Sequence, residues 1–109
     1  MILVVDDLRV FRDDLDVVYA RTLNETAPYL TAACSGKIVI SELWLDHDLG
    51  QSEDIRELVD HLDQLAIEGE KLPLDCIRII SANPVGRDYI TRALGRHYTI
   101  KPCTERIIS

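Results

Sequence analysis

An apolar run near the middle of the chain ends in three ionisable side chains. Residues 43–45 are Leu, Trp and Leu, and Asp46, His47 and Asp48 follow directly. An apolar run that ends in acids is typical of a buried strand whose carboxyl end opens into a site, which is where open α/β sheets bind ligands. Two carboxylates held this close repel each other unless a cation binds or they transfer protons. The segment therefore predicts a cation site, acid–base chemistry, or both.

Polar residues follow three further apolar runs in the same way. The set consists of Asp6 and Asp7 after residues 2–5, Ser81 and Asn83 after residues 77–80, and Lys101 with Pro102 after residues 98–100. If these runs are strands of one parallel sheet, their carboxyl ends lie along one edge. Acids, a hydroxyl and an ammonium group then converge from four strands. A metal cation is the natural partner for acids that converge.

The apolar runs that position these residues alternate with helical patterns. Strands are predicted at residues 2–5, 17–20, 43–45, 77–80 and 98–100. Continuous apolar runs are typical of strands that are covered on both faces. Strands that alternate with helices indicate a parallel sheet.

Two helices have clear boundaries in the sequence. Ser52 can cap a helix that carries one apolar stripe over residues 55–66 and stops at Gly69. Asn83 followed by Pro84 predicts the start of another helix, which Gly95 ends.

An earlier helix is less regular. Thr22 and Glu25 have the spacing of a capping box. Pro28 conflicts with a start at Thr22, because an interior proline costs about 3 kcal/mol. We expect this helix to begin near Thr26 or to kink.

Composition limits the function classes. The 109 residues carry a net charge of −7, and 47% are hydrophobic, which predicts one globular domain over residues 1–109. The acidic balance argues against double-stranded nucleic acid and anionic membranes as partners. No segment reads as a signal peptide or membrane span. Cys34, Cys76 and Cys103 are odd in number and suit reduced thiols, so we expect a cytoplasmic protein.

The residues at the strand ends resemble the pattern of receiver domains in two-component signalling. That family has an acidic pair after strand one, an acceptor aspartate after strand three, Ser or Thr after strand four and Lys-Pro after strand five. The matching residues here are Asp6 with Asp7, Asp46, Ser81, and Lys101 with Pro102. The resemblance implies a three-layer, flavodoxin-like or receiver-like α/β fold with a five-stranded parallel sheet of order 2-1-3-4-5.

The same resemblance implies roles for these residues. Asp6, Asp7 and Asp46 would hold Mg²⁺, since carboxylate oxygens suit this ion. Asp46 would be either a metal ligand or the phosphoryl acceptor, and Ser81 and Lys101 would bind phosphoryl oxygens.

A narrower resemblance covers two segments, LDHDLG at residues 45–50 and SANPVGR at residues 81–87. They look like the small receiver-like family named for cyclic-phosphate processing, which is found in bacterial and phage contexts. This resemblance adds His47, Asp48, Asn83 and Arg87 to the site, as proton carriers and phosphate contacts. Each also has a plainer interpretation: a structural histidine, a turn residue, a helix cap and a solvated charge.

The chain departs from a receiver in two places. Only residues 8–16 separate the first two predicted strands, whereas a parallel crossover needs roughly 10–12 residues or more. Eight residues follow Lys101. We therefore expect the first and last helices to be reduced or missing. These helices cover the same sheet face in a receiver, so that face should be partly bare, shielded by residues 8–16 and the tail at Ile107 and Ile108. A bare apolar face predicts a homodimer or a protein partner there.

Two functions from different classes remain open. The first is an enzyme, a metal-dependent phosphohydrolase that processes a cyclic phosphate ester or nucleotide. The second is a stand-alone or degenerate phospho-accepting receiver that acts through protein contacts. A third possibility is a phage-borne protein that binds a host factor. His47 and Asp48 favour the enzyme, whereas the Asp, Ser and Lys set fits both.

Overall fold

A computed structural model describes residues 1–7, 16–46, 55–80 and 83–103. The elements in these residues are β1 (Ile2–Val5), β2 (Val17–Ala20), α1 (Leu23–Cys34), β3 (Glu42–Leu45), α2 (Arg56–Ile67), β4 (Cys76–Ile79), α3 (Pro84–Leu94) and β5 (Ile100–Pro102). Within this part of the chain, no helix lies between β1 and β2 and none follows β5. None of the described helices is long and apolar enough to cross a membrane.

The five strands form one parallel sheet of order β2-β1-β3-β4-β5, which confirms the predicted topology. β1 lies between β2 and β3, and Val5 is in register with Ala20 on one side and Leu45 on the other. The carboxyl ends of these strands therefore lie side by side, as the sequence predicted.

The last strand begins two residues later than predicted, at Ile100 rather than Tyr98. Tyr98 is buried, and its hydroxyl oxygen accepts a hydrogen bond of 3.1 Å from the backbone amide of Leu72. Burial raises the pKa of this phenol. Tyr98 thus closes the loop before β4 instead of joining the sheet.

All three described helices pack on one face of the sheet. Alternate strand residues, among them Leu3, Val5 and Leu43, point to this face and form one core with the helices. The buried helix residues in that core are Leu30, Ala33, Leu58, Val59, Leu62, Ile90 and Leu94. The Tyr89 hydroxyl of α3 donates to Asp60 of α2, and the Asp63 carboxylate of α2 contacts Arg96 and His97 in the segment after α3.

α1 begins at Leu23, so the predicted start near Thr26 is wrong. The Thr22 hydroxyl accepts a 3.1 Å hydrogen bond from the amide of Glu25, and the Thr26 hydroxyl donates to the Thr22 carbonyl. These bonds secure the first turn. Pro28 lies inside the helix, where its missing amide removes one hydrogen bond from a turn that is already held at its start.

α2 and α3 both end where the sequence predicted. α3 also begins where predicted, whereas α2 does not. α2 begins at Arg56 with Ile55 at the N-cap position and no side-chain cap, whereas Ser52 lies outside the described residues. Gly69 follows α2 with φ of 82°, a left-handed conformation that glycine adopts without strain. Asn83 caps α3 and Gly95 ends it.

The second face of the sheet receives none of the described helices. Val4 and Trp44 at its centre are fully buried, and Ile2, Val17 and Tyr19 pack around them partly buried. Ile80 and Cys103 are partly buried on the other side, so the face is closed at its centre and more open at its rim. The segments expected to shield it, residues 8–15 and the C-terminal tail, lie outside the described residues. The homodimer or protein partner at this face stays a prediction.

Candidate functional site

Three carboxylates meet at the carboxyl edge of the sheet. Oxygens of Asp6, Asp7 and Asp46 all lie within 4.8 Å of one another. Asp6 is fully buried, Asp46 is 6% exposed and Asp7 is half-buried. The structure thus brings together the three residues that the sequence analysis assigned to a metal ion.

The sheet itself places two of these residues. The amide of Asp6 donates to the carbonyl of Ala20 at 3.3 Å, and the amide of Asp46 donates to the carbonyl of Val5 at 3.0 Å. Both bonds continue the parallel ladder one residue beyond the strands. The side chains of Asp6 and Asp46 are therefore held by backbone pairing, which leaves them little freedom to move apart.

This cluster suits a divalent cation. Burying one ionised carboxylate is costly, and placing others beside it adds repulsion, unless a positive charge compensates. Asp6 and Asp46 are buried next to each other at the one edge where β1 and β3 end. Three oxygen donors at this spacing match the ligand preference of Mg²⁺ and Ca²⁺. The residues present fit such an ion.

The N-terminus of α3 lies at the same edge, after β4. The Asn83 side-chain oxygen accepts a 3.0 Å hydrogen bond from the amide of Val85, so Asn83 has the capping role that was its plainer interpretation. Arg87 lies in the first turn of α3 and its side chain is exposed. The turn combines a helix N-terminus with a cation, an arrangement that favours anions.

Lys101 lies on β5, where its Cα pairs with that of Arg78. β5 is two strands away from β3, which corresponds to about 10 Å across the sheet. Its side chain is exposed. Lys101 and β2 therefore lie on opposite sides of the cluster. An oxyanion that contacts Lys101 and the aspartates' cation together would have to span the distance between β5 and β3.

Three predicted site residues lie outside the described residues. They are His47 and Asp48, which follow Asp46, and Ser81, which follows β4. Their assigned roles stay predictions.

A separate charged group lies on the second face of the sheet. The Glu42 carboxylate accepts hydrogen bonds from Arg78 Nε at 2.7 Å and from Trp44 Nε1 at 3.0 Å. Burial raises the pKa of Glu42, but the bonds from Arg78 and Trp44 outweigh it, and the pKa is lowered overall. The bond to Glu42 raises the pKa of Arg78, and burial raises that of the Cys76 thiol. Arg78 is thus committed to an ion pair within the sheet.

Arg21 lies next to the acidic cluster, although the sequence analysis gave it no role. It follows β2 directly, and its Nη1 donates a 3.1 Å hydrogen bond to the backbone carbonyl of Asp6. The signal was present, because Arg21 is the charged residue after the apolar run 17–20, just as acids follow the neighbouring runs.

The chain was compared with known protein families, curated proteins and solved structures. A family model described as "Cyclic-phosphate processing Receiver domain" matches residues 1–96. Neither the curated proteins nor the solved structures that were searched contain a significant match.

Proposed function

Because the chain belongs to the cyclic-phosphate processing receiver family, we propose that it is a Mg²⁺-dependent enzyme that hydrolyses a cyclic phosphate ester or cyclic nucleotide. One observation carries the proposal: the oxygens of Asp6, Asp7 and Asp46 lie within 4.8 Å of one another at the carboxyl edge of the sheet. A divalent cation and a phosphate group together balance the charge of such a cluster.

The three aspartates hold the ion in this proposal. Bound Mg²⁺ supplies positive charge that neutralises the carboxylates and polarises a phosphoryl oxygen. Asp6 and Asp46 are suited to this role because their backbone bonds to the neighbouring strands keep them in position.

Cations and amides on the β4 and β5 side orient the phosphate. Lys101 binds one phosphoryl oxygen, and the N-terminus of α3 with Arg87 binds another. The capping bond of Asn83 keeps that helix end in place. Ser81, two residues before Asn83, adds a hydroxyl donor in this proposal.

The chemical step is the addition of water to phosphorus and the cleavage of one phosphorus–oxygen ester bond. The attacking water gives up one proton, and the leaving oxygen takes one. His47 and Asp48 are the proposed carriers of these protons, since an imidazole titrates near neutrality. Asp46 acts as a metal ligand in this scheme, and the alternative is a covalent role for its carboxylate.

The test is a turnover assay with a matched pair of variants. The protein, Asp46→Asn and Asp75→Asn are incubated with Mg²⁺ and a panel of 2′,3′- and 3′,5′-cyclic nucleotides, and separately with acetyl phosphate. Asp75 is an exposed carboxylate just before β4, at the opposite edge of the sheet, and its replacement makes the same change in charge. We expect Mg²⁺-dependent hydrolysis that falls at least about 100-fold in Asp46→Asn and is unchanged in Asp75→Asn.

Two results contradict the proposal. Equal turnover by Asp46→Asn and the wild type means that the acidic cluster is not the site. A stable phosphoprotein formed from acetyl phosphate, with no cyclic nucleotide cleaved, identifies the chain as a phospho-accepting receiver instead.

A further inference from the structure

We propose that Arg21 forms an anion subsite on the β2 side of the acidic cluster and contacts a phosphoryl oxygen there. This inference rests on the proposed function, because it takes the ligand to be a phosphate group bound with Mg²⁺. It adds a residue from β2, the one strand that had no part in the site as the sequence described it.

The position of Arg21 follows from the pairing of β2 with β1. Ala20 is in register with Val5, and its carbonyl accepts the amide of Asp6. Arg21 follows β2 directly, so it lies beside Asp6 at the level where β1 ends. Asp46 occupies the same level on the other side of Asp6, since its amide bonds to Val5. Arg21, Asp6 and Asp46 thus form one row across the edge of the sheet.

The guanidinium contacts both a backbone carbonyl and an aromatic ring. Its Nη1 donates to the carbonyl of Asp6 at 3.1 Å, and its central carbon lies 4.4 Å from the centroid of the Tyr19 ring. The side chain is half-buried. A guanidinium stacked on an aromatic ring and tied to a carbonyl has lost much of its conformational freedom before any ligand arrives, which favours binding of an oxyanion.

Three other cations named above, Arg78, Lys101 and Arg87, lie on other sides of the cluster. Arg78 is paired with Glu42 on the second face. Lys101 lies on β5 and Arg87 lies after β4, so both approach from the far side of β3. A phosphate bound near Asp46 would therefore have Arg21 on one flank and Lys101 or Arg87 on the other, with the aspartates and their cation between.

A purely structural role for Arg21, as a clamp on the Asp6 carbonyl, makes a different prediction. A clamp positions Asp6, so its loss should weaken binding of the metal. An anion contact places positive charge near the metal ion, so its loss should strengthen binding of Mg²⁺ and weaken binding of phosphate. The two roles therefore differ in the sign of the effect on Mg²⁺.

The experiment measures Mg²⁺ binding alone, and then orthophosphate binding at saturating Mg²⁺, by titration calorimetry. The proteins are the wild type, Arg21→Gln, Arg21→Lys and the control Arg92→Gln, an exposed arginine on α3 that is paired with Asp88. For Arg21→Gln we expect orthophosphate to bind about tenfold more weakly and Mg²⁺ about threefold more tightly. Arg21→Lys should keep Mg²⁺ affinity near that of the wild type and recover part of the phosphate affinity, and Arg92→Gln should change neither.

Unchanged phosphate affinity in Arg21→Gln overturns the proposal, and so does weaker Mg²⁺ binding, which identifies a clamp. Circular dichroism melting of each variant separates these results from a loss of folding. Failure of the proposed function has a different signature: the wild type binds Mg²⁺ and orthophosphate, the Arg21 effects appear, and no cyclic phosphate is hydrolysed. A wild type that binds no orthophosphate overturns both proposals.

Discussion

Replacing Asp46 by Asn should make the metal-free protein more stable. The change removes one negative charge from a cluster in which Asp6 is fully buried and Asp46 is 6% exposed. The amide of Asn is nearly the same size as the carboxylate, so the packing of the strand end is preserved. A gain in stability on removal of a buried side chain's charge is unusual, since most single substitutions destabilise.

The magnitude follows from the geometry. Two unit charges no more than 4.8 Å apart repel by at least about 3 kcal/mol at an effective dielectric constant of about 20. Hydrogen bonds that a carboxylate makes better than an amide offset part of this gain. We therefore expect a net stabilisation of about 1–2 kcal/mol, which for a domain of this size raises the melting temperature by roughly 4–12 °C.

The assay is thermal unfolding of the wild type, Asp46→Asn and Asp75→Asn, first in EDTA and then over a Mg²⁺ titration. In EDTA, Asp46→Asn should melt above the wild type and Asp75→Asn close to it. Mg²⁺ should then raise the wild-type melting temperature, since a ligand at 100 times its dissociation constant adds about 2.7 kcal/mol. The melting temperature of Asp46→Asn should rise much less with Mg²⁺. The difference between the two melting temperatures should therefore shrink or change sign.

The reasoning is refuted if Asp46→Asn melts below the wild type in EDTA, since the cluster would then be held by favourable contacts of the carboxylate. A Mg²⁺ response of the same size in the wild type and in Asp46→Asn would also refute it, because the ion would then bind elsewhere.

Three further predictions concern stability and assembly. Tyr98→Phe leaves the buried amide of Leu72 without its acceptor and should destabilise the protein by about 1–3 kcal/mol, measured as a lower urea midpoint with an unchanged slope. Burial raises the pKa of Glu42, but the hydrogen bond from Arg78 outweighs it and the pKa is lowered overall. The stability that Glu42 contributes is therefore fully present above the ordinary glutamate pKa of 4.5, and it is lost as the pH falls through the lower pKa of the folded state. The stability difference between wild type and Glu42→Gln should therefore be constant near neutral pH and shrink in acid, and a difference that grows in acid would contradict this. The sheet face without described helices predicts a homodimer at micromolar concentration by light scattering, and a clean monomer would count against self-association.

Local patterns in the sequence were sufficient for most of the elements. β1 and β2 were predicted to the residue, because a continuous apolar run bounded by charged residues marks where a strand ends. The start of α3 was equally clear, since Asn83 and Pro84 provide a cap and a fixed φ. The start of α1 was wrong because the proline penalty was weighed without the hydrogen bonds to Thr22 that secure the first turn.

Tertiary structure decided what no local pattern contains. Asp6 and Asp46 are forty residues apart in the sequence, and they meet because β3 pairs in register with β1. The pairing of β2 with β1 places Arg21 beside Asp6, and the pairing of β4 with β3 brings Arg78 to Glu42, although both arginines lie in or next to apolar runs. The sequence by itself determined which residues stand at the strand ends and therefore which chemistry is available. Strand order and register decided which of those residues lie close enough to share a cation, because charge interactions depend on distances that only the folded sheet establishes.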